Sequence, residues 1–146
     1  MENWPMYTAA GTDFPIINFD YIGVEYDHFW STGMGNVMAD RLYHSQISTG
    51  DRHVWREVRA IQNLEKLKTL LQVGYSPSEP FFVSRPGAIS ETDGVLLSLV
   101  SAFEGHSHLR PFMLILDPIE MTEIARIWLP EDYDISVSFH GTFVKH

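Results

Sequence analysis

Polar and apolar residues alternate through 41–47, with Leu42, His44 and Gln46 on one side and Tyr43, Ser45 and Ile47 on the other. The turn cluster Ser48-Thr49-Gly50-Asp51 follows, and alternation resumes over 52–56. This pattern predicts a β-hairpin. It sets His44 and His53 on facing strands, where they can be cross-strand neighbours. The same grammar predicts strands at 81–83, 94–102, 111–116, 122–129 and 136–145, separated by Gly-, Pro- and Asp-containing turns. Residues 1–15, with Pro5, Gly11 and Pro15, read as an irregular lead-in. One segment departs from the strand period. Leu64, Leu67, Leu70 and Leu71 recur at helical spacing and predict a short inserted helix near 63–72, lying on a sheet edge. Many short strands between turns make the fold all-β, either a sandwich or propeller blades. The chain holds strands for about three blades, so a propeller built from it is partial.

Composition narrows the picture. The 146 residues suit one domain, and a 45% hydrophobic share with 13% aromatics can line a core. Intrinsic disorder does not fit that composition. The net charge of −9 repels phosphate backbones and argues against nucleic acid as a partner. The absence of Cys excludes disulfides and thiolate-based zinc or iron–sulfur sites. No apolar run reaches the roughly 20 residues a spanning helix needs. The first residues show neither a basic nor an apolar leader region, so no targeting segment is expected.

The seven histidines are the first place to look for chemistry, since neutral imidazole is the commonest metal ligand. His106 and His108 share one face of a strand if extended, but their polar surroundings read as a hairpin tip. His146 ends the chain. His140 lies in Ser138-Phe139-His140-Gly141-Thr142-Phe143, apolar on both sides, and from spacing alone reads as a core histidine with a glycine that permits close approach. Glu79 stands between Pro77 and Pro80 at the mouth of an apolar strand. It is either a strand-edge gatekeeper or a carboxylate that orients a ligand histidine. Asp13, in Gly11-Thr12-Asp13-Phe14-Pro15, has similar character and reads more readily as plain loop. Gly33-Met34-Gly35 lacks the third glycine of a dinucleotide fingerprint, and no Gly-x-Ser-x-Gly elbow occurs.

Six blocks taken in order resemble the C-terminal part of the carotenoid cleavage oxygenases. They are Phe14-Pro15-Ile16-Ile17-Asn18, the 75–83 block around Pro77-Ser78-Glu79-Pro80, Glu91-Thr92-Asp93-Gly94-Val95-Leu96-Leu97-Ser98, Met113-Leu114-Ile115-Leu116-Asp117, Glu123-Ile124-Ala125-Arg126 and Phe139-His140-Gly141-Thr142-Phe143. The animal branch, with the β-carotene oxygenases and the retinal pigment epithelium retinoid isomerase, is the most similar. The resemblance covers nearly the whole chain, 1–146. It implies about the last three blades of a seven-bladed propeller whose axis carries Fe(2+) on four histidines, backed by three glutamates.

Carried over residue by residue, His140 is one iron ligand and Glu79 supports a ligand histidine. Asp13 occupies a position where the family has glutamate. Being one methylene shorter, it reaches a ligand histidine less readily. No further catalytic residue is implied beyond the metal site. The other three histidines and the remaining glutamate are expected before Met1. The family reaction is oxidative cleavage of a conjugated C=C of a carotenoid or retinoid by O2, or isomerisation of a retinoid. The opposing reading is a non-catalytic propeller fragment that binds an apolar ligand or a partner chain. With one iron ligand, the chain alone is expected to be inactive. A cytoplasmic location, with peripheral membrane contact left open, follows from the family only.

Overall fold

A computed structural model of the chain describes residues 12–34, 38–56, 74–102, 110–133, 135, 140–142 and 144. These residues form two antiparallel sheets. The first runs β1 (Thr12–Ile16), β2 (His28–Met34), β3 (Ala39–Gln46) and β4 (Arg52–Arg56), in that spatial order. The second is built from β5 (Tyr75–Pro77), β6 (Phe81–Ser84), β7 (Gly94–Ala102), β8 (Phe112–Leu116) and β9 (Glu123–Trp128). Its order is β5-β7-β8-β9, with β6 also pairing with β7. Strands β5 and β6 share one neighbour and act as one interrupted strand. Each sheet is thus a four-strand meander, which is the form of a propeller blade. The all-β expectation holds.

The hairpin at 39–56 forms with the expected register, and His44 lies directly opposite His53. Strands β6 to β9 fall within a few residues of the alternating segments. Strand β8 buries Phe112, Leu114 and Leu116 and turns Met113 and Ile115 the other way. The lead-in is corrected, because Thr12–Ile16 is a strand paired to β2. Strands β2 and β5 were not expected. Strand β2 buries four successive residues, 30–33, so both of its faces are covered and the alternation that would announce it is missing. Strand β5 is three residues long and ends in proline. The helix expected near 63–72 lies outside the described residues. So does most of the 136–145 strand, whose described residues 140–142 and 144 have no strand assignment.

The core spans both sheets. Trp30, Leu42 and Trp55 come from the first, and Tyr75, Phe82, Leu96, Val100, Phe112, Leu114 and Leu116 from the second. Trp30 is fully buried and stacks on Phe82 at 4.7 Å and 8°. Its indole Nε1 donates to the Pro118 carbonyl at 2.7 Å. That bond satisfies the polar end of a large buried ring and fixes the turn after β8 against β2.

Gly94 lets β6 and β7 close on each other. A Cβ there would lie 2.2 Å from the Val83 carbonyl oxygen. No helix among the described residues is long and apolar enough to cross a membrane.

Candidate functional site

The site begins with two irregularities, one in the first strand of each sheet. Between β5 and β6, Pro77 pairs with Val100 and Phe81 with Leu97. Four steps on one strand therefore face three on the other, which is a bulge of one residue. Neither Pro77 nor Pro80 has an N–H to give to a ladder, so the strand cannot run straight through. Ser78 fastens the bulge. Its N–H donates to the Leu99 carbonyl at 2.9 Å, and its Oγ accepts from the Leu99 N–H at 3.0 Å. Ser98 Oγ donates to the Ser78 carbonyl at 3.0 Å. Ser78 and Ser98 are both buried. Bulges re-aim a side chain beside a site, and the one re-aimed here is Glu79.

Strand β1 repeats the device. Asp13 pairs with Thr32 and Ile16 with Trp30, again one residue too many. Within this bulge Phe14 has φ of 49°, an outlier for a bulky side chain. Such backbone persists only where surrounding contacts hold it, and it collects at functional sites.

Both bulges converge on His140. Its Nδ1 lies 2.9 Å from Glu79 Oε2. The ring of Phe14 meets the His140 ring edge-on, with centroids 5.2 Å apart. A carboxylate only accepts, so Nδ1–H donates to it and Nε2 keeps its lone pair. The tautomer is thereby set for ligation through Nε2.

The expectation that His140 is a core residue is corrected. Its side chain is 69% exposed while that of Glu79 is 19% exposed. Gly141 faces open space, so no close approach explains it. Asp13 sits beside the site, but its carboxylate caps the N–H of its neighbour Phe14 at 2.8 Å. Its backbone carbonyl accepts from Thr32 Oγ1 at 2.9 Å. It touches His140 through Phe14, as a turn former.

Other expected candidates fall elsewhere. His106, His108 and His146 lie outside the described residues. A cavity of about 270 Å³ is lined by Asn18, Phe19, Asp20 and 81–84, and neither His140 nor Glu79 borders it.

The donor chemistry of His140 suits one position on a divalent metal ion. Imidazole is a good ligand for Fe(II), and a carboxylate on its far nitrogen raises its basicity. Among the described residues no three His, Asp or Glu side chains are placed to hold a metal together. The pair could supply at most one ligand and its support. Phe14 mattered for its ring and its backbone, and the sequence signalled it only by its place after Asp13 and at the head of the 14–18 block.

The retinal pigment epithelial membrane protein family model matches residues 3–145. The mitochondrial carotenoid-cleaving dioxygenase of Mustela putorius furo is 32% identical over 136 residues, covering 92% of this chain and 22% of that protein. Human beta,beta-carotene 15,15'-dioxygenase is 30% identical over 141 residues, or 96% of this chain and 22% of that protein. The chain thus spans about a fifth of the length of these relatives. Among solved structures, cobalt-substituted Synechocystis apocarotenoid oxygenase superposes with a TM-score of 0.71 at 23% identity. It covers 92% of this chain and 26% of that one, and at this identity it establishes the shared fold.

Proposed function

Because the chain belongs to the retinal pigment epithelial membrane protein family, the carotenoid oxygenases, we propose that it is the C-terminal part of an Fe(II)-dependent dioxygenase that cleaves a conjugated C=C of a carotenoid or apocarotenoid. The observation that carries this reading is the His140–Glu79 hydrogen bond at 2.9 Å. A half-buried carboxylate on Nδ1 orients an exposed imidazole and leaves Nε2 outward, as a ligand position requires. In this reading His140 supplies one of several ligands, and the others come from outside the chain.

The iron, when bound, supplies the redox chemistry by which O2 converts one C=C into two C=O groups. The chain's own residues do the positioning. Glu79 holds the Nδ1 proton of His140, Ser78 and the two prolines hold Glu79, and Phe14 limits rotation of the His140 ring. A single imidazole does not retain iron, so the reading assigns activity to the assembled enzyme. Retinoid isomerisation on the same iron is the variant within the family. Peripheral contact with a membrane, from the cytoplasmic side, belongs to the same proposal.

The test compares iron content and β-carotene cleavage in a longer protein carrying this segment, wild type against His140→Ala. Loss of both supports the reading. Full iron and full cleavage without the imidazole overturn it, and leave a non-catalytic propeller segment.

A further inference from the structure

Away from His140, three histidines stack across the first sheet at its seam with the second. His44 on β3 is 2% exposed. It faces His53 of β4 in register, with ring centroids 5.9 Å apart. On its other side is His28 of β2, whose ring stacks on it at 5.1 Å and 19°. His28 Nδ1 and His44 Nε2 are 2.9 Å apart. One nitrogen of that pair donates and the other accepts, so the contact needs both rings neutral or a single shared proton. A second proton sets two N–H groups against each other.

The stack is built into the contact between the sheets. Trp30, beside His44 on β2, bonds the Pro118 carbonyl and stacks on Phe82. The turn at 117–121 brings Asp117 within electrostatic reach of His44, while the buried His44 Nδ1 has no hydrogen-bond partner among the described residues. Glu120 Oε2 lies 3.8 Å from His53 Nδ1. At the other end, Glu91 in the turn before β7 accepts from the N–H groups of Asp27 and His28, both at 2.9 Å. Asp27 is held by Ser48 and Gln46. The charged and titratable groups facing the stack are therefore Asp27, Glu91, Asp117 and Glu120, and among them no set converges to hold a metal. The variable left to the cluster is its proton count.

We propose that the His28–His44–His53 stack is a pH-sensitive latch, which holds β2 and β3 against the 117–121 turn while the His28–His44 pair carries at most one proton and releases it when the pair carries two. Burial, then the neighbouring His28 and His53, push the His44 imidazole down from 6.5 to about 4. The closed seam thus binds the proton less well than the opened one. Acid favours opening, beginning as pH falls below 6.5 and complete near 4.

Hydrogen exchange followed by mass spectrometry on the 146-residue chain tests this, comparing pH 7.5 with pH 5 after correction for intrinsic exchange rates. Protection in peptides covering 28–34 and 117–121 is expected to fall reversibly by about tenfold or more at pH 5, while the 94–100 strand changes less. His44→Gln is expected to remove the difference. Should that variant fold poorly, His28→Asn, at a less buried ring, is expected to shrink it. Equal protection at both pH values in the wild type, or an unaltered response in the folded variants, overturns the latch.

Discussion

His140 Nδ1 and Glu79 Oε2 meet at 2.9 Å although 61 positions separate them in the chain. The contact depends on a one-residue bulge between Pro77 and Phe81 that turns Glu79 out of its strand. If the carboxylate orients the imidazole, Glu79→Leu in a longer iron-binding form lowers iron affinity by about 10–100-fold. Fold, checked by circular dichroism, is expected to stay intact, since the Glu79 side chain makes its only described side-chain hydrogen bond to His140.

Ser78 sets the bulge through the Leu99 N–H and through Ser98. Ser78→Ala leaves the half-buried Leu99 N–H without its side-chain acceptor and is expected to cost about 1 kcal/mol. Urea unfolding measures that loss. The same variant is expected to weaken iron binding, because Glu79 loses its fixed direction. Ser98→Ala, one bond poorer and farther from Glu79, is expected to affect stability more than iron.

Trp30 joins the sheets by stacking on Phe82 and bonding Pro118. Trp30→Ala is expected to cost about 3–5 kcal/mol. Trp30→Phe keeps most of the burial and loses the indole N–H, so a smaller loss is expected. Gly94→Ala forces a Cβ to 2.2 Å from the Val83 carbonyl oxygen. Backbone must move to admit it, and about 1–3 kcal/mol is expected. Thermal melts of the three variants rank these effects.

Among the described residues, Asp27 and His44 make stability depend on pH in the acid range. His44 has its folded value lowered to about 4 by burial and its two histidine neighbours. Its contribution is fully present above 6.5 and is lost as pH falls from there to about 4, on the order of 3 kcal/mol in all. Asp27 is lowered from 3.8 to about 2, first by the Ser48 hydroxyl and then by Gln46. Its contribution is present above 3.8 and lost as pH falls to about 2. Stability is thus expected to decline in two acid stages, and His44→Gln is expected to remove the earlier one.

Much of the fold was legible because alternation reports half-buried strands. The 39–56 hairpin and the 94–128 meander alternate, and both formed close to the expected bounds. Strand β2 escaped because residues 30–33 are all buried and carry no period. Strand β1 escaped because Pro15 reads as a breaker, whereas a bulge accommodates it. The site was less legible. His140 looked like core because its sequence neighbours are apolar, yet its ring is exposed. Resemblance to a family marked Glu79 as support for a ligand histidine, and only the structure shows that the histidine it meets is His140. The histidine stack needed the β2–β3 register, so the facing pair His44–His53 was visible and His28 was not.

The most direct measurement is the iron content of the native protein, captured from its source with an antibody against residues 110–133, with His140→Ala introduced at the same locus. The account predicts a species larger than 16.8 kDa carrying about one iron per molecule, and loss of that iron in the variant. A species of 16.8 kDa without iron, or a larger one whose iron is unaffected by the substitution, would contradict it.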